Sequence, residues 1–308
     1  MEIGESVYCV SSIPNTPTKL AVGCESGKLF VNDIETNKSL YSADNPDSII
    51  VIRPTDDHII FAATEEQIIC HDTRAGHTPK LIFTLPSEIS DFVVNGDLFV
   101  MATYSNDIIT SDRRLLRKSQ APGILPSVCS SLSFQDAKHL IAGYLDTTVG
   151  SWDFNTNKFS PFTVVKSQQF NPSVVHCVAS KSDIVAVARQ TGLNIYKNGQ
   201  LQCDSLFEHG GAVQAVAFAE CFETPFTVSG AADGSLMVFD CTKLEPLDCL
   251  TVENEKVQCI TSNSRVIAVA DTSDNGNIGI FTPQDFLEHG SDEEENENEE
   301  EGEKQKPE

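Results

Sequence analysis

The sequence predicts an all-β fold, a single seven-bladed β-propeller, and three observations support it. A short segment with the look of a strand recurs seven times, ending at residues 33, 72, 112, 153, 197, 240 and 282. The spacing between these ends is 39 to 44 residues, and a four-stranded propeller blade repeats about every 40–45 residues. Apolar residues alternate inside each copy. Seven such units are enough to close a propeller ring.

Each copy is interpreted as the third strand of its blade. The positions two and four residues before its end are mostly apolar, and a period of two is the strand period. These pairs are Leu29/Val31, Ile68/Cys70, Ile108/Thr110, Val149/Ser151, Leu193/Ile195, Leu236/Val238 and Ile278/Ile280.

A second strand, rich in small residues, precedes each copy. Small side chains suit a sheet that tapers towards a central channel. Glycine, asparagine or aspartate follows most of these strands and supplies the tight turn into the third strand. The seven second strands are predicted at 20–23, 60–64, 99–103, 140–144, 185–189, 227–230 and 267–271.

The single tryptophan, Trp152, lies directly before the terminal Asp153 of the fourth copy, which follows the turn residue Asp146. We interpret the Trp152 position as a packing slot between blades that is filled differently in each copy. The other occupants are Asn32, His71, Ser111, Tyr196, Phe239 and Phe281.

The sixth copy carries a nearly complete set of polar partners for this slot. We expect His209, Ser229 and Asp233 to form a buried hydrogen-bonded chain beside Phe239 that pins the strands of one blade together. The role of His209 is therefore predicted to be structural and not catalytic.

Closure of the ring leaves two possibilities for the fourth strand of the last blade. It comes either from Met1-Glu2-Ile3 or from the segment Asp285 to His289. We favour the N-terminal segment, because it tethers both ends of the chain.

The charge distribution divides the chain into a propeller, residues 1–290, and an acidic tail, residues 291–308. The formal charge is −24, of which ten acidic and two basic residues give the tail −8 and leave −16 for the propeller. We expect the tail to be disordered. Since an acidic surface repels phosphate backbones, direct nucleic-acid binding is not expected.

Cellular location is inferred from what the sequence lacks. No signal peptide is apparent, and no apolar run reaches the roughly 18 residues of a membrane span. The ten cysteines form no CxxC pair and are interpreted as reduced, mostly buried residues. We therefore expect a location in the cytoplasm, the nucleus or both.

Catalytic and cofactor motifs are also missing. The sequence has no phosphate-binding loop, nucleophile elbow or zinc-protease signature. His176-Cys177 and Cys70-His71 are adjacent on strands, where neighbours point to opposite faces. We predict a binding module with no enzyme activity, cofactor or metal.

Two arginines follow terminal aspartates at the same register of adjacent copies. Asp72 precedes Arg74, and Asp112 precedes Arg114, in a chain with seven arginines. A guanidinium just past the third strand can reach outward from the bottom of the propeller and bind an acidic or carbonyl-rich partner. Two ordinary surface arginines on an acidic protein are the alternative.

The copies resemble the WD40 repeat family over nearly all of residues 1–282. A narrower stretch resembles the WD repeat-containing protein 53 family, through Val128-Cys129-Ser130-Ser131, Leu145-Asp146, Trp152-Asp153-Phe154 and the segment FNPSVVH at 170–176. This resemblance implies a scaffold that serves as substrate receptor of a cullin-4 RING ubiquitin ligase. It further implies docking on the ligase's propeller adaptor through a WD-x-R box, matched by Asp72/Arg74 and Asp112/Arg114. This sequence departs from the box at its tryptophan position, which is occupied by His71 in one copy and Ser111 in the other.

The remaining expectations concern partners. Substrate proteins would bind the opposite, top face, and Ser291, which precedes four acidic residues, is a possible phosphorylation site. The alternative function is a general WD40 assembly scaffold, for example in ribosome biogenesis or a chromatin complex.

Overall fold

Seven antiparallel sheets form the blades of a β-propeller in the computed structural model, which confirms the predicted fold class. The structure describes residues 1–74, 78–112, 117–120 (backbone alone), 126–162, 173–190, 192–204, 209–252 and 256–286. The predicted tail and Ser291 lie outside these ranges, as do Arg114 and residues 170–172 of the FNPSVVH segment.

The first four blades each contain four strands in chain order. Blade 1 comprises β1 (Val7–Ser12), β2 (Lys19–Cys24), β3 (Lys28–Asp33) and β4 (Lys38–Asp44). Blade 2 comprises β5 (Val51–Pro54), β6 (Ile59–Ala63), β7 (Gln67–Asp72) and β8 (Lys80–Thr84). Blade 3 comprises β9 (Ile89–Asn95), β10 (Leu98–Thr103), β11 (Ile108–Asp112) and β12 (Arg117–Gln120). Blade 4 comprises β13 (Cys129–Phe134), β14 (His139–Tyr144), β15 (Val149–Asp153) and β16 (Lys158–Pro161).

The last three blades follow the same order. Blade 5 comprises β17 (Val175–Lys181), β18 (Ile184–Arg189), β19 (Gly192–Lys197) and β20 (Gln200–Cys203). Blade 6 comprises β21 (Val213–Phe218), β22 (Phe226–Ala231), β23 (Ser235–Asp240) and β24 (Glu245–Thr251). Blade 7 comprises β25 (Val257–Ser262), β26 (Ile267–Asp271) and β27 (Ile278–Phe281), followed by a 3-10 helix at Pro283–Phe286. The seven predicted second and third strands coincide with observed strands to within one residue at their ends.

The first strands form the innermost ring, because each packs against the first strands of both neighbouring blades. The up-and-down order of the strands then defines two faces. Turns from first to second and from third to fourth strand lie at one end, which we call the bottom face. Turns from second to third strand and the connections between blades lie at the other end, the top face.

Apolar cores fill the junctions between blades. The described residues form seven clusters of buried side chains, and each draws its buried members from two adjacent blades. The apolar and small residues of the second and third strands explain this arrangement, because both faces of an inner strand pack against a neighbouring sheet. The blades are therefore held mainly by burial of apolar surface against each other.

The ring closes through the N-terminal segment, as favoured from the sequence. Glu2 pairs with Asn277 beside β27. The Ile278 amide donates to the Met1 carbonyl at 2.8 Å, and the Ile3 amide donates to the Gly276 carbonyl at 3.1 Å. The described part of the alternative segment, Asp285 and Phe286, instead forms the end of the 3-10 helix, and Phe286 is buried between blades 6 and 7.

The tryptophan position is a slot at the junction with the preceding blade. Trp152 is buried against blade 3 and Phe239 against blade 5. Where a polar side chain fills the slot, its hydrogen bonds are satisfied in one blade and not in another. His71 is fully buried and hydrogen-bonded to the Tyr41 hydroxyl (3.2 Å) and to Asn45 Oδ1 (2.9 Å) of blade 1, whereas Ser111 Oγ is buried without a hydrogen-bond partner in the described part of the chain.

Burial lowers the pKa of His71 from 6.5 to about 4, which predicts acid-sensitive stability. Between these values the unfolded chain binds a proton that the folded chain excludes, so stability falls as the pH falls. From pH 7.5 to 5 the loss from His71 is about 2 kcal/mol. A His71→Gln variant should lack this loss, as measured by urea unfolding at both pH values. His58→Gln, which replaces a histidine whose side chain is 43% exposed, serves as control. The same pH dependence in wild type and His71→Gln would contradict the assignment.

Candidate protein-interaction faces

The terminal aspartates close the bottom-face turns. Asp33 Oδ1 accepts hydrogen bonds from the amides of the residues two and three positions later, and Asp153 and Asp240 do the same. Short polar side chains commonly cap turns in this way. The Thr36 amide, as the strongest of these donors, lowers the pKa of Asp33. The aspartate therefore fixes the backbone that follows the third strand, whichever residue fills the preceding slot.

Blade 2 adds a side-chain contact to this turn. Asp72 Oδ1 accepts from the Arg74 amide at 3.1 Å and from Arg74 Nε at 2.8 Å, and Arg74 Nη2 binds Asp72 Oδ2. The guanidinium thus forms a two-pronged pair with the aspartate of its own turn. The Arg74 side chain remains 57% exposed, while that of Asp72 is 15% exposed. Asp72 holds Arg74 in one orientation on the bottom face.

The surroundings of Arg74 are acidic. Asp56 accepts from the amides of His58 and Ile59 in the neighbouring turn. The hydrogen bond that Arg74 donates to Asp72 raises the pKa of Arg74, and the charges of Asp56 and Asp57 add to this effect. The Thr73 amide donates to the His58 carbonyl at 2.9 Å and joins the two turns. Arg74 is therefore a fixed cation within a small acidic surface.

The matching position in blade 3 is described in part. Asp112 ends β11, on the bottom face like Asp72. Arg114 lies outside the described residues, so a second aspartate–arginine pair in the adjacent blade stays a prediction.

His209 in blade 6 joins two strands by hydrogen bonds. Its Nε2 contacts Ser229 Oγ at 3.0 Å and its Nδ1 contacts Ser235 Oγ. Asp233 does not bind His209 directly, because its Oδ1 accepts from Ser235 Oγ at 2.6 Å. Phe239 contributes apolar packing. The sequence reasoning missed Ser235, although its place two residues after the turn aspartate could have indicated it.

The blade 4 residues predicted to be structural, Asp146, Trp152 and Asp153, also form hydrogen bonds within their turns. Asp146 Oδ1 accepts from the Thr148 amide at 3.1 Å in the top-face turn. The Trp152 indole donates to Asn157 Oδ1 at 3.1 Å, and Asp153 accepts from Thr156 Oγ1 at 2.8 Å. Asp146 therefore lies on the top face and the other contacts on the bottom face, so these residues do not form one site.

Two arginines that contact acceptors inside the protein were not predicted from the sequence. In the inner ring, Arg53 Nη2 donates to Asp91 Oδ1 at 2.9 Å, linking blades 2 and 3. At the end of β18, Arg189 donates to Asn194 Oδ1, and to the carbonyls of Ser173 and Thr147 at 3.0 and 3.1 Å. Both arginines are committed to internal acceptors, which distinguishes them from the exposed Arg74.

The adjacent cysteine and histidine residues show no catalytic geometry. The Cys177 thiol donates to the Val216 carbonyl, and burial raises its pKa while burial lowers the pKa of His176. Each shift favours the neutral group, which opposes formation of a thiolate–imidazolium pair. Within the described ranges, no group of three or more His, Cys, Asp or Glu side chains is arranged to hold a metal ion.

A polar cleft of about 760 Å³ opens between blades 4 and 5 on the bottom face. Its wall includes Ser151, Ser160, Phe162 and His139. His139 Nδ1 pairs with Asp136 Oδ2 at 2.8 Å, and the same aspartate accepts from the His139 amide. This pair closes the turn before β14.

Comparison with known proteins supports the architecture. The crystal structure of the computationally designed Ika8 protein aligns with 89% of this chain and 83% of its own, with a TM-score of 0.66. The chain is a β-propeller. At 17% sequence identity, the similarity shows the fold alone. No family model matches the sequence, and no curated protein matches it significantly. No helix in the part of the chain that the structure describes is long and apolar enough to cross a membrane.

Proposed function

We propose that this protein is a WD40-type interaction scaffold that acts as a substrate receptor of a cullin-4 RING ubiquitin ligase. The bottom face of blades 2 and 3 would bind the ligase's propeller adaptor. The observation that carries this proposal is the exposed guanidinium of Arg74, held by Asp72 at the end of β7. A propeller fold by itself suggests protein partners but identifies none.

The geometry around Asp72 supports docking without an aromatic residue in the box. His71 is turned into the junction with blade 1 and bonds to Tyr41 and Asn45, so it takes no part in the turn. Asp72 fixes the turn and orients Arg74. A guanidinium has five N–H donors, and the Asp72 contacts leave some of them for carbonyl or carboxylate groups of a partner.

Other properties fit the same proposal. The strand pattern of the WD40 resemblance coincides with the seven blades, and the described part of its narrower stretch falls on blade 4 and the start of blade 5. Substrate proteins would bind the top face. All ten cysteines are free thiols, as expected in a reducing compartment, and we propose a location in the cytoplasm, the nucleus or both.

An affinity pull-down with mass spectrometry tests the proposal. The intact protein should recover the cullin-4 adaptor, and an Arg74→Ala/Arg114→Ala variant should lose most of it, because the two cations of the docking surface are removed. Circular dichroism first establishes that the variant is folded.

Arg265→Ala is the matched control, since Arg265 is also exposed on the bottom face but pairs with Glu35 at 2.7 Å. It should leave adaptor recovery unchanged. If the adaptor is absent from every sample while other partners remain, the ligase role is wrong and the general assembly scaffold is the better proposal.

A further inference from the structure

Two large apolar side chains are exposed at the same register of adjacent blades on the top face. Tyr104 is 57% exposed and Leu145 is 40% exposed. Each is the first residue after the second strand of its blade. The Tyr104 amide donates to the Glu88 carbonyl at 2.9 Å, and the Leu145 amide donates to the Val128 carbonyl at 3.0 Å. These equivalent bonds hold both residues beside the first strands of blades 3 and 4.

This apolar pair is particular to two blades. The other large apolar residues with high exposure in the described chain, Leu40 and Leu81, lie on the outer strands β4 and β8. The equivalent top-face position in the remaining blades is polar or small: Glu25, Glu65, Gln190, Ala232 and Thr272. The blade fold therefore does not require a large apolar residue at this position.

Carboxylates flank the pair. The Ile89 amide donates to the Glu65 carbonyl, and the Tyr104 amide to the adjacent Glu88 carbonyl, so Glu65 and Tyr104 lie on either side of one connection. Exposed or partly exposed acids of these loops are Glu65, Glu66, Glu88, Asp107 and Asp146. The described top-face loops of blades 2 to 4 (64–66, 85–88, 104–107, 126–128 and 145–148) contain no lysine or arginine.

We propose that this surface, Tyr104 and Leu145 with the five flanking acids, binds a short basic segment of a partner protein. An aliphatic or aromatic side chain of the segment would cover Tyr104 and Leu145, and neighbouring lysines or arginines would face the carboxylates. Apolar contact supplies affinity at such a centre, whereas complementary charge selects the partner and speeds association. A nucleic acid or an anionic membrane would be repelled by the same charges.

The inference rests on the scaffold part of the proposed function and does not depend on docking through Arg74. It names the chemistry of the ligand for the top face: basic, extended and carrying at least one large apolar side chain. A tyrosine loses few rotamers on binding and presents a large contact area, which suits it to this role.

A displayed library of random 12-residue peptides, selected on the full chain, tests the inference. Clones are then counter-selected on a Tyr104→Ser/Leu145→Ser variant, which has the same net charge. Clones that bind only the wild type should be rich in lysine and arginine and contain a large apolar residue. Synthetic copies should bind the variant at least tenfold more weakly and should lose affinity as salt is added.

A Leu40→Ser/Leu81→Ser variant is the matched control, because it removes two exposed large apolar side chains from the outer strands and should bind the peptides like the wild type. The inference is overturned if no clone separates wild type from the Tyr104/Leu145 variant, or if the separating clones are neutral or acidic. The assay contains no adaptor. Its failure therefore leaves bottom-face docking intact, and the pull-down can fail without affecting this result.

Discussion

Replacing Arg53 by alanine is expected to lower the free energy of unfolding by roughly 2–4 kcal/mol, because it leaves the carboxylate of Asp91 buried without its charged partner. Asp91 is 6% exposed. Its Oδ2 accepts from the Leu132 amide at 2.7 Å and its Oδ1 from the Phe92 amide at 2.7 Å. Asp91 thus connects blades 2, 3 and 4 at the inner ring. The expected loss is below that of a fully buried pair because the Arg53 side chain is 35% exposed.

The pH dependence gives this prediction a second readout. Burial raises the pKa of Asp91, and the charge of Arg53 opposes that rise. Without Arg53 the pKa of the folded carboxyl rises further, so the folded variant binds a proton at a pH where the unfolded chain does not. The difference in stability between variant and wild type should therefore shrink as the pH falls.

Urea unfolding at pH 7.5 and pH 5 measures both effects. Arg53→Lys keeps the charge and should lose less than the alanine variant. The control is Arg265→Ala, which removes an exposed ion pair with Glu35 and should cost less than about 1 kcal/mol. Equal losses for Arg53→Ala and Arg265→Ala would show that the inner pair contributes no more than a surface one.

Replacing Arg189 by alanine is expected to lower the free energy of unfolding by a similar amount, roughly 2–4 kcal/mol, because three hydrogen bonds to buried or partly buried acceptors are lost. The three acceptors come from the top-face turn of blade 4, the approach to blade 5 and the third strand of blade 5. Thr147, whose carbonyl is one of them, has a φ of 82°, which is unusual for a β-branched residue. Without Arg189 the strained turn loses the bond that helps to hold it.

The measurement is again urea unfolding, joined by limited proteolysis of the folded protein. Cleavage near Thr147 and Ser173 should become faster in Arg189→Ala, because both carbonyls lose the same donor. Arg189→Lys cannot reproduce the planar fork and should lie between alanine and wild type. Lys197→Ala, an exposed residue 3.9 Å from Asp183, should behave like the wild type in both assays.

The strands were predictable because burial imposes a local pattern. The inner strands are covered on both faces or on alternating positions, so small and apolar residues recur with the strand period in every copy. Segment 185–189, for example, lies in β18, all six residues of which are buried. The N-terminal closure was also accessible from the sequence, since the last third strand lacked an evident partner.

Polar contacts between blades were not predictable in the same way. Arg53 and Asp91 are 38 positions apart, and Arg189 and Thr147 are 42 positions apart; no local pattern connects them. Arg189 also ends a strand whose composition indicated only small-residue packing. The contact between Arg74 and Asp72 is local, yet the sequence alone suggested an outward-reaching arginine and did not reveal that the aspartate holds it.

The exposure of individual side chains was the hardest property to predict from the sequence. Tyr144 and Leu145 are consecutive apolar residues, but Tyr144 is 1% exposed and Leu145 is 40% exposed. The difference arises because β14 ends between them and the chain turns on the top face. The top-face surface could therefore be recognised only once the strand ends were fixed.

The closed ring has a consequence for how the molecule can come apart. A linear array of repeats ends in capping units with a polar outer face and can fray from its termini. Here every blade shares an apolar core with two neighbours, and the N-terminal segment joins the last blade to the first. Removing any one blade would expose two apolar faces, with no cap to cover either. The whole ring should therefore unfold as one cooperative unit. A shorter version of this chain with one repeat deleted should aggregate instead of forming a smaller propeller.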